Sequence, residues 1–196
     1  AVTLLVEFAA EAGGDGWDLL RAAEALTGLG PDARCHAVEI LRRLAAWPGM
    51  PRLPQALAVA AWAGIDDGQR FDAVELLTRL AVDPAHDGNE RIQAVEALFD
   101  LGPPLRQRCA RLLGRVAADP VARVWSRRRA AEALARFGPA HLGQAVDLLT
   151  GLLDDTAGDP WERAEAATAL AELAAHRRGT AASALHGIAQ ECVDGT

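Results

Sequence analysis

Written in rows of 36 residues, the chain aligns with itself from end to end without a gap, and this repeat constrains the fold more than any other feature. AVTLLVEFAA at residue 1 falls above AVEILRRLAA at 37, AVELLTRLAV at 73, CARLLGRVAA at 109, AVDLLTGLLD at 145 and AASALHGIAQ at 181. Three apolar columns recur in this half of the row. They are Leu4/Ile40/Leu76/Leu112/Leu148, Leu5/Leu41/Leu77/Leu113/Leu149/Leu185 and Phe8/Leu44/Leu80/Val116/Leu152/Ile188. Their spacings place them on one side of a 3.6-residue helix and fit strand alternation badly. The other half of the row holds the column Ala22/Ala58/Ala94/Ala130/Ala166 beside Leu26/Trp62/Leu98/Leu134/Leu170. Three residues further on, Leu29/Ile65/Leu101/Phe137/Leu173 read as part of the same helical face.

The breaks fall between these halves. Gly30-Pro31, Gly102-Pro103 and Gly138-Pro139 end one helix, and Asp83-Pro84 and Asp119-Pro120 end the other. Each row is therefore a helix pair. One amphipathic pair cannot bury its apolar face alone, so the rows must stack, driven by roughly 1.5–3 kcal/mol for each large side chain removed from water. The predicted fold is all-α, an α-α superhelix (right-handed solenoid) of about five helix pairs. It forms a single domain over residues 1–196, with pairs at 1–36, 37–72, 73–108, 109–144 and 145–180 and a final helix at 181–192.

Half of the residues are apolar and the net charge is −7, which suits a soluble chain and argues against a surface made as a whole for nucleic acid or anionic lipid. No stretch is long and apolar enough for a membrane span, and no basic leader opens the chain, so a cytoplasmic location is expected. Cys35, Cys109 and Cys192 are odd in number and far apart, as free thiols would be.

The pattern Arg-x-x-Ala-x-x-Ala-Leu, then Leu-Gly, then a further small residue, runs from Arg91 to Leu98, through Leu101-Gly102, to Cys109-Ala110. It resembles the HEAT-like (armadillo/HEAT-type) helical repeats over the whole chain, with tetratricopeptide and armadillo arrays as alternatives. The resemblance implies a scaffold that binds other proteins, with the second helix of each pair lining the concave side. Some HEAT-like proteins are metal-dependent hydroxylases that repeat His-Glu dipeptides. This chain has no His-Glu at all.

Catalytic constellations are absent from the sequence: there is no Gly-x-Ser-x-Gly, no Lys for a phosphate loop and no calcium-loop pattern. His36, His86, His141, His176 and His186 share no metal-ligand spacing. The expectation is a protein without enzymatic activity, cofactor or metal.

The candidate binding residues lie on outward columns. Arg43, Arg79 and Arg115 follow Glu7 in one column, and Glu39, Glu75 and Arg111 occupy the column four residues earlier. Rows about 10 Å apart would make the Arg column a ladder. Glu39–Arg43 and Glu75–Arg79 have the spacing of simple surface ion pairs, whereas Arg111 and Arg115 share a helix with no acid. Residues 103–144 carry nine Arg against Asp119 and Glu132, a local +7. Arg111, Arg115 and Arg127 are therefore expected to grip a carboxylate-rich peptide or a phosphate-bearing partner, with neutralisation of the acidic rows on either side as the alternative.

A second candidate is the uncharged helix from Leu53 to Ile65, where Leu57 replaces a polar residue and Trp47, Met50 and Phe99 stand near, as a contact for another domain or a second copy. Trp17, Trp125 and Trp161 share a column and are expected to pack against the preceding helix rather than serve as a stacking platform. The helix at Ala1–Ala10 has Val6 where later rows have Arg42, Thr78 and Thr150, so both its faces are oily. A preceding helix of a longer protein, or a symmetry mate, is expected to cover it. The functional expectation is a protein-protein interaction scaffold within a larger cytoplasmic protein. The alternative is a phosphate-backbone binding module built on the basic fourth repeat, which the acidic net charge disfavours.

Overall fold

The computed structural model describes residues 16–155, 159–174 and 178–194. The expectations for the helix at Ala1–Ala10, with Val6 and the heads of the apolar columns, lie outside the described residues. Ten α-helices and two short 3-10 turns are present among those residues, with no strand. The helices are α1 (Gly16–Thr27), α2 (Pro31–Ala45), α3 (Arg52–Ala63), α4 (Arg70–Val82), α5 (Gly88–Asp100), α6 (Arg106–Ala118), α7 (Val124–Ala135), α8 (Pro139–Asp154), α9 (Pro160–Leu173) and α10 (Arg178–Asp194). Among the described residues no helix is long and apolar enough to cross a membrane.

The turns show why the helices stop where they do. Gly30 and Gly138 have φ of 119° and 117° with ψ of 179° and 177°, and Gly102 has φ of 124°. A following proline drives the preceding residue into extended ψ, and only glycine combines that with positive φ. Pro31 and Pro139 then open the next helix at a position where no N–H is needed. Asp119 closes its own turn, accepting the Val121 N–H at 3.0 Å, and Asp159 caps α9 by accepting the Trp161 N–H at 2.8 Å.

The chain divides into two compact units, residues 1–83 with 93–105 and residues 84–92 with 106–196. In the first, α1 packs on α2, α2 on α3 and α3 on α4, and α1 also meets α3. Its core gathers Leu20, Leu26, Leu41, Leu44 and Met50, with Trp17, Leu57, Trp62 and Ile65 packed around them. In the second unit each helix from α6 to α10 packs on the next, and α6 meets α8 as α7 meets α9.

The alanine column is the reason the helices can approach closely. Ala58, Ala94, Ala130 and Ala166 are fully buried, and a larger side chain there would hold the helices apart. Leu41, Leu77, Leu113 and Leu149 are equally enclosed, whereas Leu185, last in that column, is exposed. The column from Leu29 to Leu173 is not a helical face. Leu29, Ile65, Leu101 and Phe137 lie in the turns after α1, α3, α5 and α7, and Leu29 stands out in solvent at 50% exposure.

Candidate functional site

Many of the arginines have structural work. The last carbonyls of a helix have no partner within it, and here side chains of the following helix supply the missing donors. Gln55 Nε2 donates to the Ala45 carbonyl at 2.7 Å, Arg127 Nε to Ala117 at 3.2 Å and Arg163 Nε to Leu153 at 3.3 Å. These donors occupy one column of the repeat, each ten residues beyond its acceptor. A second set caps the other helix of the pair: Arg34 Nε reaches the Thr27 carbonyl at 3.2 Å and Arg178 Nε reaches Ala171 at 3.5 Å. In two rows, at Arg127 and Arg163, the Arg of the Arg-x-x-Ala pattern is thus a helix C-cap, and Arg127 is held by α6 instead of standing free for a ligand.

The first unit contains an open groove of about 810 Å³. Helix α2 supplies Arg42 and Arg43 to one wall and α4 supplies Asp72, Glu75 and Arg79 to the other, while Val59 and Trp62 of α3 lie between them. Two of the sequence-derived residues, Arg43 and Arg79, are therefore brought together. Glu75 accepts from Arg79 as its spacing foretold. Glu39 instead lies 3.8 Å from Arg42, so the expected Glu39–Arg43 pair is not made. Arg43 has no ion pair or hydrogen-bonded partner for its guanidinium among the described residues.

Trp62 and Arg42 were not among the sequence-derived candidates, although a signal existed. Every other described member of the Trp62 column is a fully buried Leu. A ring larger than that slot must extend out of it, and Trp62 extends toward the groove with the Arg42 guanidinium 5.7 Å from its ring centre. Its Nε1 is buried without a hydrogen-bond partner.

The second unit contains the basic stretch. Arg91, nearly buried, donates to Asp119 at 2.6 Å. That bond, the Val121 N–H and the positive charge of Arg91 hold the Asp119 carboxyl below its ordinary value near 3.8, against burial, which pushes it up. Arg128 pairs with Glu132 and, at 2.8 Å, with Glu165 of α9. Arg129 lies 5.4 Å from the Trp125 ring centre. Arg123 and Arg136 are exposed at the two ends of α7, and the one cluster among the described residues of this stretch is on α6, where Arg108, Arg111 and Arg115 are exposed, bond to no other described side chain, and share a helix containing no acid.

The other candidates divide differently. The apolar surface of α3 is mostly consumed within its unit: Leu53, Ala56, Val59 and Ala60 are buried and Leu57 packs against the core. Trp47 is 41% exposed and Phe99 38%. The tryptophan column divides: Trp17 packs around the core of the first unit as expected, whereas Trp125 is 39% and Trp161 71% exposed.

No protein-family model, curated protein or solved structure matches this chain. Its chemistry has to be read from its own residues. Among the described residues no three His, Cys, Asp or Glu side chains come together as a metal site would need, and Cys109 is buried while Cys35 and Cys192 are exposed. What the two surfaces offer is recognition: guanidinium groups with rigid donor forks, and at the groove an indole face beside them.

Proposed function

We propose that the protein is a non-enzymatic, HEAT-like interaction scaffold, its helix pairs stacked as a right-handed solenoid, and that the groove of the first unit receives a segment of a partner protein. The observation that carries this reading is the groove itself, which sets unpaired Arg43 and the Glu75–Arg79 pair on either side of the Trp62 ring. A mixed lining of this kind, aromatic between charged walls, resembles the buried anchors and polar rims of protein interfaces. The packing of α1 on α3, α6 on α8 and α7 on α9 supports the stacking, because helices two apart meet when pairs are laid one upon another.

A phage-displayed peptide selection on the full chain tests the reading. Selected peptides are expected to bind with Kd of about 1–100 μM and to lose at least about tenfold on a chain carrying Arg43→Ala and Trp62→Leu. Leucine is what the column holds elsewhere, so this variant keeps the core. Failure to select any peptide, or equal binding by the variant, refutes the groove as the site.

A further inference from the structure

We infer that the exposed side of α6, with the adjoining strip of α8, docks an acidic peptide segment of a partner protein. Carboxylates of that segment are held by Arg108, Arg111 and Arg115, and its backbone lies against Gly143 and Gly151. The surface belongs to the second unit, shares no residue with the Trp62 groove, and rests on the scaffold reading only in assigning the chain a protein partner.

Charge selects the occupant first. Four of the neighbouring arginines are committed: Arg127 to a carbonyl, Arg128 to two glutamates, Arg129 to the Trp125 ring and Arg91 to Asp119, while the exposed Arg123 and Arg136 stand singly at the two ends of α7. Arg108, Arg111 and Arg115 are not. At 1.5 Å per residue they span roughly 10 Å of helix, the reach of about three extended residues, so one short acidic stretch can satisfy all three. Guanidinium forks donate to carboxylates in bidentate geometry, and such bonds strengthen as both partners shed water.

The glycines point to the same occupant independently. Gly143 and Gly151 lie within α8, both are exposed, and a Cβ built on either meets nothing within 4 Å. Glycine weakens a helix relative to alanine. No packing among the described residues asks for it at these places. It provides bare backbone, against which another main chain can come close. The two helices are in direct contact, and at Gly114 a Cβ would lie 3.0 Å from Gln144 Nε2. The next row repeats the positions of Arg111 and Arg115 as Asp147 and Gly151, so the ridge on α6 continues on α8 as a low floor with one acceptor for a peptide N–H.

A nucleic-acid backbone is favoured less. A glycine floor adds nothing to phosphate contacts, and the net −7 of the chain opposes a polyanion. A short peptide presents only a few carboxylates, and beyond about 8 Å the remaining charges are screened.

Fluorescence anisotropy on the full chain at physiological ionic strength decides the matter. The probes are a labelled eight-residue peptide with Glu at alternate positions, the same peptide with Gln, and an eight-nucleotide oligo-dT. The Glu peptide is expected to bind at least about tenfold more tightly than the Gln peptide, and to weaken by at least about tenfold on the Arg111→Ala, Arg115→Ala double variant. The same loss is expected on Gly151→Leu, which adds a better helix former and so should keep the helical circular dichroism unchanged. The groove variant carrying Arg43→Ala and Trp62→Leu should bind the Glu peptide as the parent does.

Undiminished binding by the double variant or by Gly151→Leu overturns the proposal. So does an oligonucleotide that binds as tightly as the peptide, or a Glu peptide that does not bind. Loss of the peptide on the groove variant alone also overturns it, because the segment then sits in the groove, and the scaffold reading survives that outcome.

Discussion

Replacing Arg127 by Met keeps the aliphatic stem but removes the donor that serves the Ala117 carbonyl, which belongs to a residue only 1% exposed. Water cannot easily take over that acceptor. An unsatisfied buried carbonyl costs about 1–3 kcal/mol, and the half-buried Arg127 stem places this case near the middle, at about 1.5–2 kcal/mol. At roughly 2–4 °C per kcal/mol for a chain of this length, the melting temperature should fall by about 3–8 °C. Arg111→Met is the control, because it removes the same charge from an exposed side chain and should change stability by less than about 0.5 kcal/mol. Arg127→Gln is the rescue: Gln55 already performs this task in the same column at 2.7 Å, so Gln should recover most of the loss. Thermal unfolding followed by circular dichroism at one salt concentration compares all three. If Met at 127 is no worse than Met at 111, or Gln at 127 no better than Met, the hydrogen bond to the helix end does not carry the stability and the reasoning fails.

Two further outcomes follow from the geometry. Because the folded Asp119 carboxyl is held below its ordinary value near 3.8, its stabilising contribution is complete above that pH and drains away as pH falls through the lower folded value. Urea midpoints of the parent and Asp119→Asn should therefore differ by a constant amount from about pH 7 to pH 5 and converge below about pH 4; a gap unchanged at pH 3 would contradict the Arg91–Asp119 linkage. Gly143→Ala and Gly151→Ala, each in open space, should each raise stability by about 1 kcal/mol in urea titrations, and a loss at either position would mean the α8 surface is already occupied within the chain.

Much of the interior was legible from residue order. The Leu41, Leu77, Leu113 and Leu149 column and the alanine column were enclosed as read, because helical burial repeats with a period that any run of residues displays. The positions of the breaks were legible too, since Gly-Pro and Asp-Pro restrict the backbone locally. Assigning the exposed residues was harder. Leu29 continues the apolar spacing past a helix that has already ended, and Glu39 selected Arg42 three residues on over Arg43 four residues on. Trp125 and Trp161 fill a column in which Leu53 is buried and Trp17 packs against the core, yet they are exposed, so the column by itself does not fix burial at the first turn of the helix.

Order alone determined that this chain is helical, where the Gly-Pro and Asp-Pro breaks fall, and which small and branched side chains face inward, all properties of spacing over a few residues. The allotment of its arginines was decided only when helices came together. Arg91 finds Asp119 across 28 residues, Arg128 finds Glu165 on another helix, and Arg127 finds a carbonyl at the end of the helix before it. A guanidinium on a long stem can reach several acceptors, and which one it meets depends on distances between helices that no local pattern contains. Arg43, Arg108, Arg111 and Arg115 are left facing water for the same reason: tertiary packing brought them no acceptor.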